Sequence, residues 1–93
     1  ADGLAVTSPG PTTFAINRVL VSDVVTVTDT QLVDAMGVAL DLLDRRLEPS
    51  GVAGLAALLD DPSRFRGRRI GIILSGGNID SARFDALTAH ASR

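Results

Sequence analysis

Three places in this chain combine residue types that could do chemistry. The first is Ser75-Gly76-Gly77-Asn78, which follows the apolar run Ile70-Gly71-Ile72-Ile73-Leu74. Glycines permit positive φ and let the backbone approach a ligand closely. A hydroxyl both donates and accepts hydrogen bonds. On spacing alone the tetrapeptide serves as an anion nest, a cofactor contact or a tight turn. It is neither a dinucleotide fingerprint nor a P-loop, because G-x-G-x-x-G is absent and the chain has no Lys. The second place is Glu48, the single Glu, just before Pro49. A carboxylate at a helix start caps backbone N–H groups; the functional alternative is a carboxylate near a ligand at a sheet edge. The third is Asp2-Gly3, where a glycine beside an apolar segment serves a turn.

Composition removes most other chemistries. The chain has 93 residues, a net charge of −2 and no Cys, which excludes disulfides, thiolate catalysis and Cys-based metal sites. All nine cationic residues are Arg, so no Schiff-base lysine lies within it. A His-dependent triad would have to use His90, near the end of the sequence, which is a poor place for an ordered site. Only three residues are aromatic, all Phe, and with a slightly acidic balance this argues against nucleic acid. The one basic cluster, Arg64, Arg66, Arg68 and Arg69, reads as a solvated loop leading into a strand. No apolar run approaches membrane-spanning length, and no basic-then-apolar leader opens the sequence, so a cytoplasmic location is expected. Met36 is expected in the core and His90 at the surface.

The elements that must position these residues follow from pattern. Pro11 suits a first helical position for a short helix to Leu20. Val24-Val25-Thr26-Val27 is β-branched throughout and predicts a strand. Thr28 with Gln31 forms a capping-box pattern. Behind it Leu32, Ala35, Met36, Ala39, Leu40 and Leu43 recur at helical spacing. Pro49 begins a second helix, about Ser50 to Leu59, rich in small residues, and Asp60-Asp61-Pro62-Ser63 ends it. Arg69–Leu74 predicts a strand buried on both faces, as in the middle of a parallel sheet. Asp80 or Ser81 caps a last helix, about 82–90, with Phe84 and Leu87 inward. The order of strands and helices predicts an α/β fold with a mostly parallel sheet, and ligands then bind at the carboxyl ends of strands.

Residues Arg68–Asp80, with Ser75-Gly76-Gly77-Asn78 at their centre, resemble the C-terminal signature of the threonine dehydratase and serine racemase family. These are pyridoxal-phosphate enzymes of fold type II, the tryptophan synthase β group. Three further segments agree. Ala1–Val6 with Pro9-Gly10 resembles the family's A-D-G-hydrophobic segment. Asp23–Asp29 resembles its D-x-hydrophobic-x-T-V-[ST] strand, and Leu47–Gly51 with Ala56-Ala57 its E-P-[AS]-G helix start. The resemblance covers nearly the whole chain, in order and spacing.

The resemblance implies a three-layer domain of which residues 1–93 are the C-terminal portion of the cofactor-binding catalytic part. It implies pyridoxal 5'-phosphate as cofactor, with Ser75 by the pyridine nitrogen. Gly3 would lie against one face of the ring, Glu48 near its pyridine edge, and Gly76, Gly77 and Asn78 would shape the loop. A neutral hydroxyl leaves the ring nitrogen largely unprotonated and the ring a weaker electron sink. The family's lysine motif, glycine-run phosphate loop and metal ligands belong to other segments, so no catalytic or metal-binding residue is assigned here. The implied activity is an ammonia-lyase turning L-threonine or L-serine into a 2-oxo acid and ammonia. A serine racemase or a hydroxyaspartate dehydratase would share these residues. The implied partners are the remainder of the catalytic domain, the amino-acid substrate and further copies in a homo-oligomer. The 93 residues alone are expected to be inactive and poorly soluble or molten. The contrasting expectation is a freestanding, non-catalytic remnant that binds a partner or a small anion.

Overall fold

The computed structural model describes residues 1–89, so the expectation for His90 lies outside the described residues. Among the described residues seven helical elements follow one another. A 3-10 turn at Asp2–Leu4 leads to α1 (Pro11–Leu20) and α2 (Asp29–Leu43). A second 3-10 turn, Pro49–Val52, runs into α3 (Ala53–Asp60), a third covers Pro62–Phe65, and α4 spans Ser81–Thr88.

Helix α2 organises the rest, and its sequence explains why. The Thr28 side chain accepts from the Gln31 backbone N–H at 3.1 Å, and the Gln31 side chain accepts from the Thr28 N–H at 2.8 Å. This reciprocal cap satisfies two of the donors a helix start leaves free. At the other end Asp44 takes a left-handed conformation, φ 53, and returns its N–H to Ala39 and Leu40 carbonyls. Between these ends Leu32, Ala35, Met36 and Ala39 are buried, and Met36 lies in the core as expected. Leu40 is half-buried, but Leu43, expected on the same face, is 52% exposed.

Against this face pack the Pro49–Val52 turn, α3 and α4. They contribute Val52, Ala56 and Phe84 to the core, beside Leu47. Phe84 is fully buried, with the Arg46 guanidinium 5.9 Å from its ring centroid. Thr88 buries its hydroxyl by donating to the Phe84 carbonyl at 2.9 Å. Asp80 caps α4 by accepting from the Arg83 N–H at 2.8 Å. Gln31 also reaches Asp60 at 2.5 Å, tying the start of α2 to the end of α3. The helix predicted for Ser50–Leu59 is thus two elements, because the first turn after Pro49 is wound as 3-10, a common form for a helix start.

The predicted sheet is not seen: among the described residues no strand is formed. Val24 is 80% exposed and Ile73 88%, so Arg69–Leu74, read as a strand buried on both faces, is not buried on both, and of the two segments only Val27 and Leu74 pack against the core. Propensity for a strand expresses fit to a pleated, half-buried surface. A parallel strand exists only through hydrogen bonds to neighbours, and among the described residues Val24–Val27 and Arg69–Leu74 have no partner strand. Helix α1, begun by Pro11 as expected, buries no residue at all. The arginine cluster likewise leads into no strand. Arg64 sits in the third 3-10 turn and pairs with Asp23.

Candidate functional site

The Ser75–Asn78 loop is joined to the Glu48–Gly51 turn by backbone hydrogen bonds. The Ser75 N–H donates to the Gly51 carbonyl at 3.2 Å, and the Glu48 N–H donates to the Gly76 carbonyl at 2.8 Å. The turn itself closes through Gly51 N–H to the Glu48 carbonyl at 3.0 Å. Gly51 is buried, and a Cβ there would run into the Ser75 carbonyl and stand 3.3 Å from the Gly76 nitrogen. This close approach is what the glycine after Pro49-Ser50 is for.

Gly76 adopts φ 75, the left-handed region that side chains seldom occupy. A Cβ on it would overlap the Glu48 Cγ and come within 2.7 Å of Oε1. Gly3 closes on the same place from the start of the chain. A Cβ there would overlap the Ser50 hydroxyl and stand 3.9 Å from Glu48 Oε1. Gly77 has open space where a side chain would project. Ser75, Gly77 and Asn78 are exposed, and Glu48, Ser50 and Gly76 half-buried.

Four of the six residues singled out in the sequence therefore gather around one spot, Gly3, Glu48, Ser75 and Gly76, while a Cβ on Gly77, the next residue along, would touch none of Gly3, Glu48 and Ser75. Asn78 lines an adjoining cleft of about 220 Å³ together with Glu48, Ser50, Asp80 and Arg83. The capping role considered for Glu48 does not hold. It stands at the N-cap of the Pro49–Val52 turn, but its side chain makes no cap hydrogen bond. Its carboxyl group instead packs against glycine backbone. Sequence reasoning missed Ser50 and Arg83. Ser50 carried a signal, as the variable third position of the E-P-[AS]-G pattern. Arg83 carried none beyond lying three residues after a cap. Among the described residues no group of three or more His, Asp or Glu is placed to hold a metal ion, and no helix is long and apolar enough to cross a membrane.

The lining of this cleft is polar and mixed in charge, with the carboxylate residues Glu48 and Asp80 facing the same space as Arg83. Comparison with known proteins gives the class: the chain belongs to the pyridoxal-phosphate dependent enzyme family, whose model matches residues 1–76. Among curated relatives it is 41% identical to an L-threo-3-hydroxyaspartate ammonia-lyase of a Pseudomonas species, over 94% of this chain and 27% of that protein. It is 44% identical to a serine racemase of Arabidopsis thaliana, over 86% of this chain and 25% of that protein. It is 34% identical to an L-threonine ammonia-lyase of Thermotoga maritima, over 94% of this chain and 21% of that protein. The chain thus spans about a quarter of the length of the curated relatives it matches. No solved structure matches it.

Proposed function

We propose that residues 1–93 form the C-terminal portion of the cofactor-binding catalytic domain of an ammonia-lyase. Its substrate would be a small β-hydroxy amino acid: serine, threonine or 3-hydroxyaspartate. The observation that carries this reading is the meeting of Gly3, Glu48 and Ser75-Gly76, drawn from three distant parts of the chain. The family membership and the names of the relatives support it.

The residues fit one side of pyridoxal phosphate. Gly77 leaves open the space where a side chain would project, Gly3 packs closely on Ser50 and Glu48, and Ser75 would supply a neutral hydroxyl partner for a ring nitrogen. Glu48, free of capping duty, is available at the edge of the same space. The chain holds no lysine, so the group that anchors the cofactor and moves the α-proton comes from the remainder of the domain. When bound, pyridoxal phosphate supplies an electron sink for the carbon that loses its proton. Ser75 tunes that sink by leaving the ring nitrogen without an ionised partner. That strength suits loss of the β-hydroxyl as water, after which a 2-oxo acid and ammonia are released.

The second reading is serine racemisation, favoured by the identity to a plant serine racemase. The identities to the hydroxyaspartate ammonia-lyase and the racemase exceed that to the threonine enzyme, so 3-hydroxyaspartate and serine come before threonine. The test is to incubate the complete polypeptide carrying this segment, with cofactor, with L-serine, L-threonine and L-threo-3-hydroxyaspartate. Equal amounts of 2-oxo acid and ammonia are expected from at least one of them. D-serine as the sole product would establish the racemase reading. Failure to take up pyridoxal phosphate would overturn both and leave a non-catalytic binding module.

A further inference from the structure

Gly76 and Glu48 interlock twice. Their backbones are joined by the Glu48 N–H donating to the Gly76 carbonyl at 2.8 Å. Their remaining atoms are joined by packing. A Cβ on Gly76 would overlap Glu48 Cγ, 2.7 Å from Oε1 and 2.9 Å from Cδ. The volume that a side chain at 76 would need is filled by the acid itself. The Glu48 side chain makes no cap hydrogen bond to the turn it precedes, so local capping does not set its direction. Gly76 also holds φ 75, a conformation open to glycine without steric cost. The same residue type therefore meets two demands, one of backbone and one of space.

We infer that Gly76 is the positioning residue for the Glu48 carboxyl group: the absent side chain at 76 seats the acid against the loop that carries Ser75. Gly3 bounds the seat, its missing Cβ lying 3.9 Å from Glu48 Oε1. The inference rests on the reading that Glu48 and Ser75 face pyridoxal phosphate. A methyl group at 76 swings the carboxyl group off the loop, so Gly76→Ala acts at the cofactor through Glu48 and not by touching the cofactor.

The test is a double-mutant cycle in the holoenzyme with Gly76→Ala, Glu48→Ala and both together. The readouts are the dissociation constant for pyridoxal phosphate and the circular dichroism that the protein induces in the bound cofactor. Each single change should weaken cofactor binding by about tenfold, the size of one lost polar contact, and alter the induced dichroism alike. The double variant should bind no more weakly than Glu48→Ala alone, because the group that Gly76 seats is already gone. Effects that multiply to about a hundredfold would overturn the inference and leave the proposed function standing. If Glu48→Ala moves neither readout, the placement of Glu48 at the cofactor fails, and the inference falls with it. Should Gly76→Ala not fold, Gly76→Asn repeats the cycle, since Asn tolerates the left-handed backbone yet carries the same Cβ.

Discussion

Gly76 takes φ 75 and Asp44 takes φ 53, for different reasons. Asp44 ends α2, where a left-handed residue closes the helix and short polar side chains tolerate that conformation. At Gly76 the glycine is required, because Glu48 fills the adjacent space. Gly67 separates the two effects: it has φ 76, but nothing lies within 4 Å of where its Cβ would be. In the complete polypeptide, Gly67→Ala should therefore cost backbone strain alone, about 1–2 kcal/mol, in denaturant unfolding. Gly76→Ala should cost more in the same measurement. The chemical prediction concerns Ser75. Ser75→Asp would set an ionised partner where the proposed reading needs a neutral one. Turnover to 2-oxo acid should fall at least ~tenfold, about 1.4 kcal/mol of transition-state stabilisation, and unchanged turnover would remove Ser75 from the mechanism. The identities of Gly3, Glu48, Ser75 and Gly76 were visible as residue types. Their meeting was not, because it depends on backbone bonds between segments far apart in the chain.

At the scale of elements, the legible parts are those held by local bonds. The capping box at Thr28 and Gln31 was read from four consecutive positions and is formed by two hydrogen bonds. Thr28→Ala in a peptide spanning α2 should lower helical content, a loss of about 1 kcal/mol, measured by far-ultraviolet circular dichroism. Helix α4 depends on packing instead. It has eight residues, too few to be stable alone, and Phe84 is fully buried beneath it. Phe84→Ala should cost about 3–5 kcal/mol in unfolding of the complete polypeptide and should loosen the Ser75–Asn78 loop that feeds α4. A change below about 1 kcal/mol would mean that α4 is held by something other than this core. The two β-branched or apolar segments predicted as strands are not paired into a sheet here, for the converse reason. Their bonds are not local, so no pattern within the segment can supply them.

The whole molecule carries far more surface than its mass explains. Its accessible area is 6973 Å², against about 5,100 Å² for a compact monomer of this mass. Its radius of gyration is 14.3 Å, against roughly 12 Å expected. Large apolar side chains in and beside the strand-like segments contribute to the excess area: Phe14, Val19 and Leu20 on α1, then Val24, and later Ile70 and Ile73, are all exposed. Burial of such surface is the main favourable term in folding, so the 93-residue chain expressed by itself should bind a hydrophobic dye and melt without a cooperative transition. A sharp calorimetric transition with no dye binding would count against the proposal that the remainder of a catalytic domain covers these faces. What the sequence by itself determined is what neighbouring residues decide together. That includes the caps of α2 and α4, the proline starts, the apolar stripe of α2 and the motif order that marks the family. Only the tertiary structure decided that Glu48 turns away from capping to rest on Gly76, that Ser50 lies against Gly3, and that the predicted strands stand unpaired. Those outcomes depend on hydrogen bonds and excluded volume between distant segments, and a strand without a neighbour has neither.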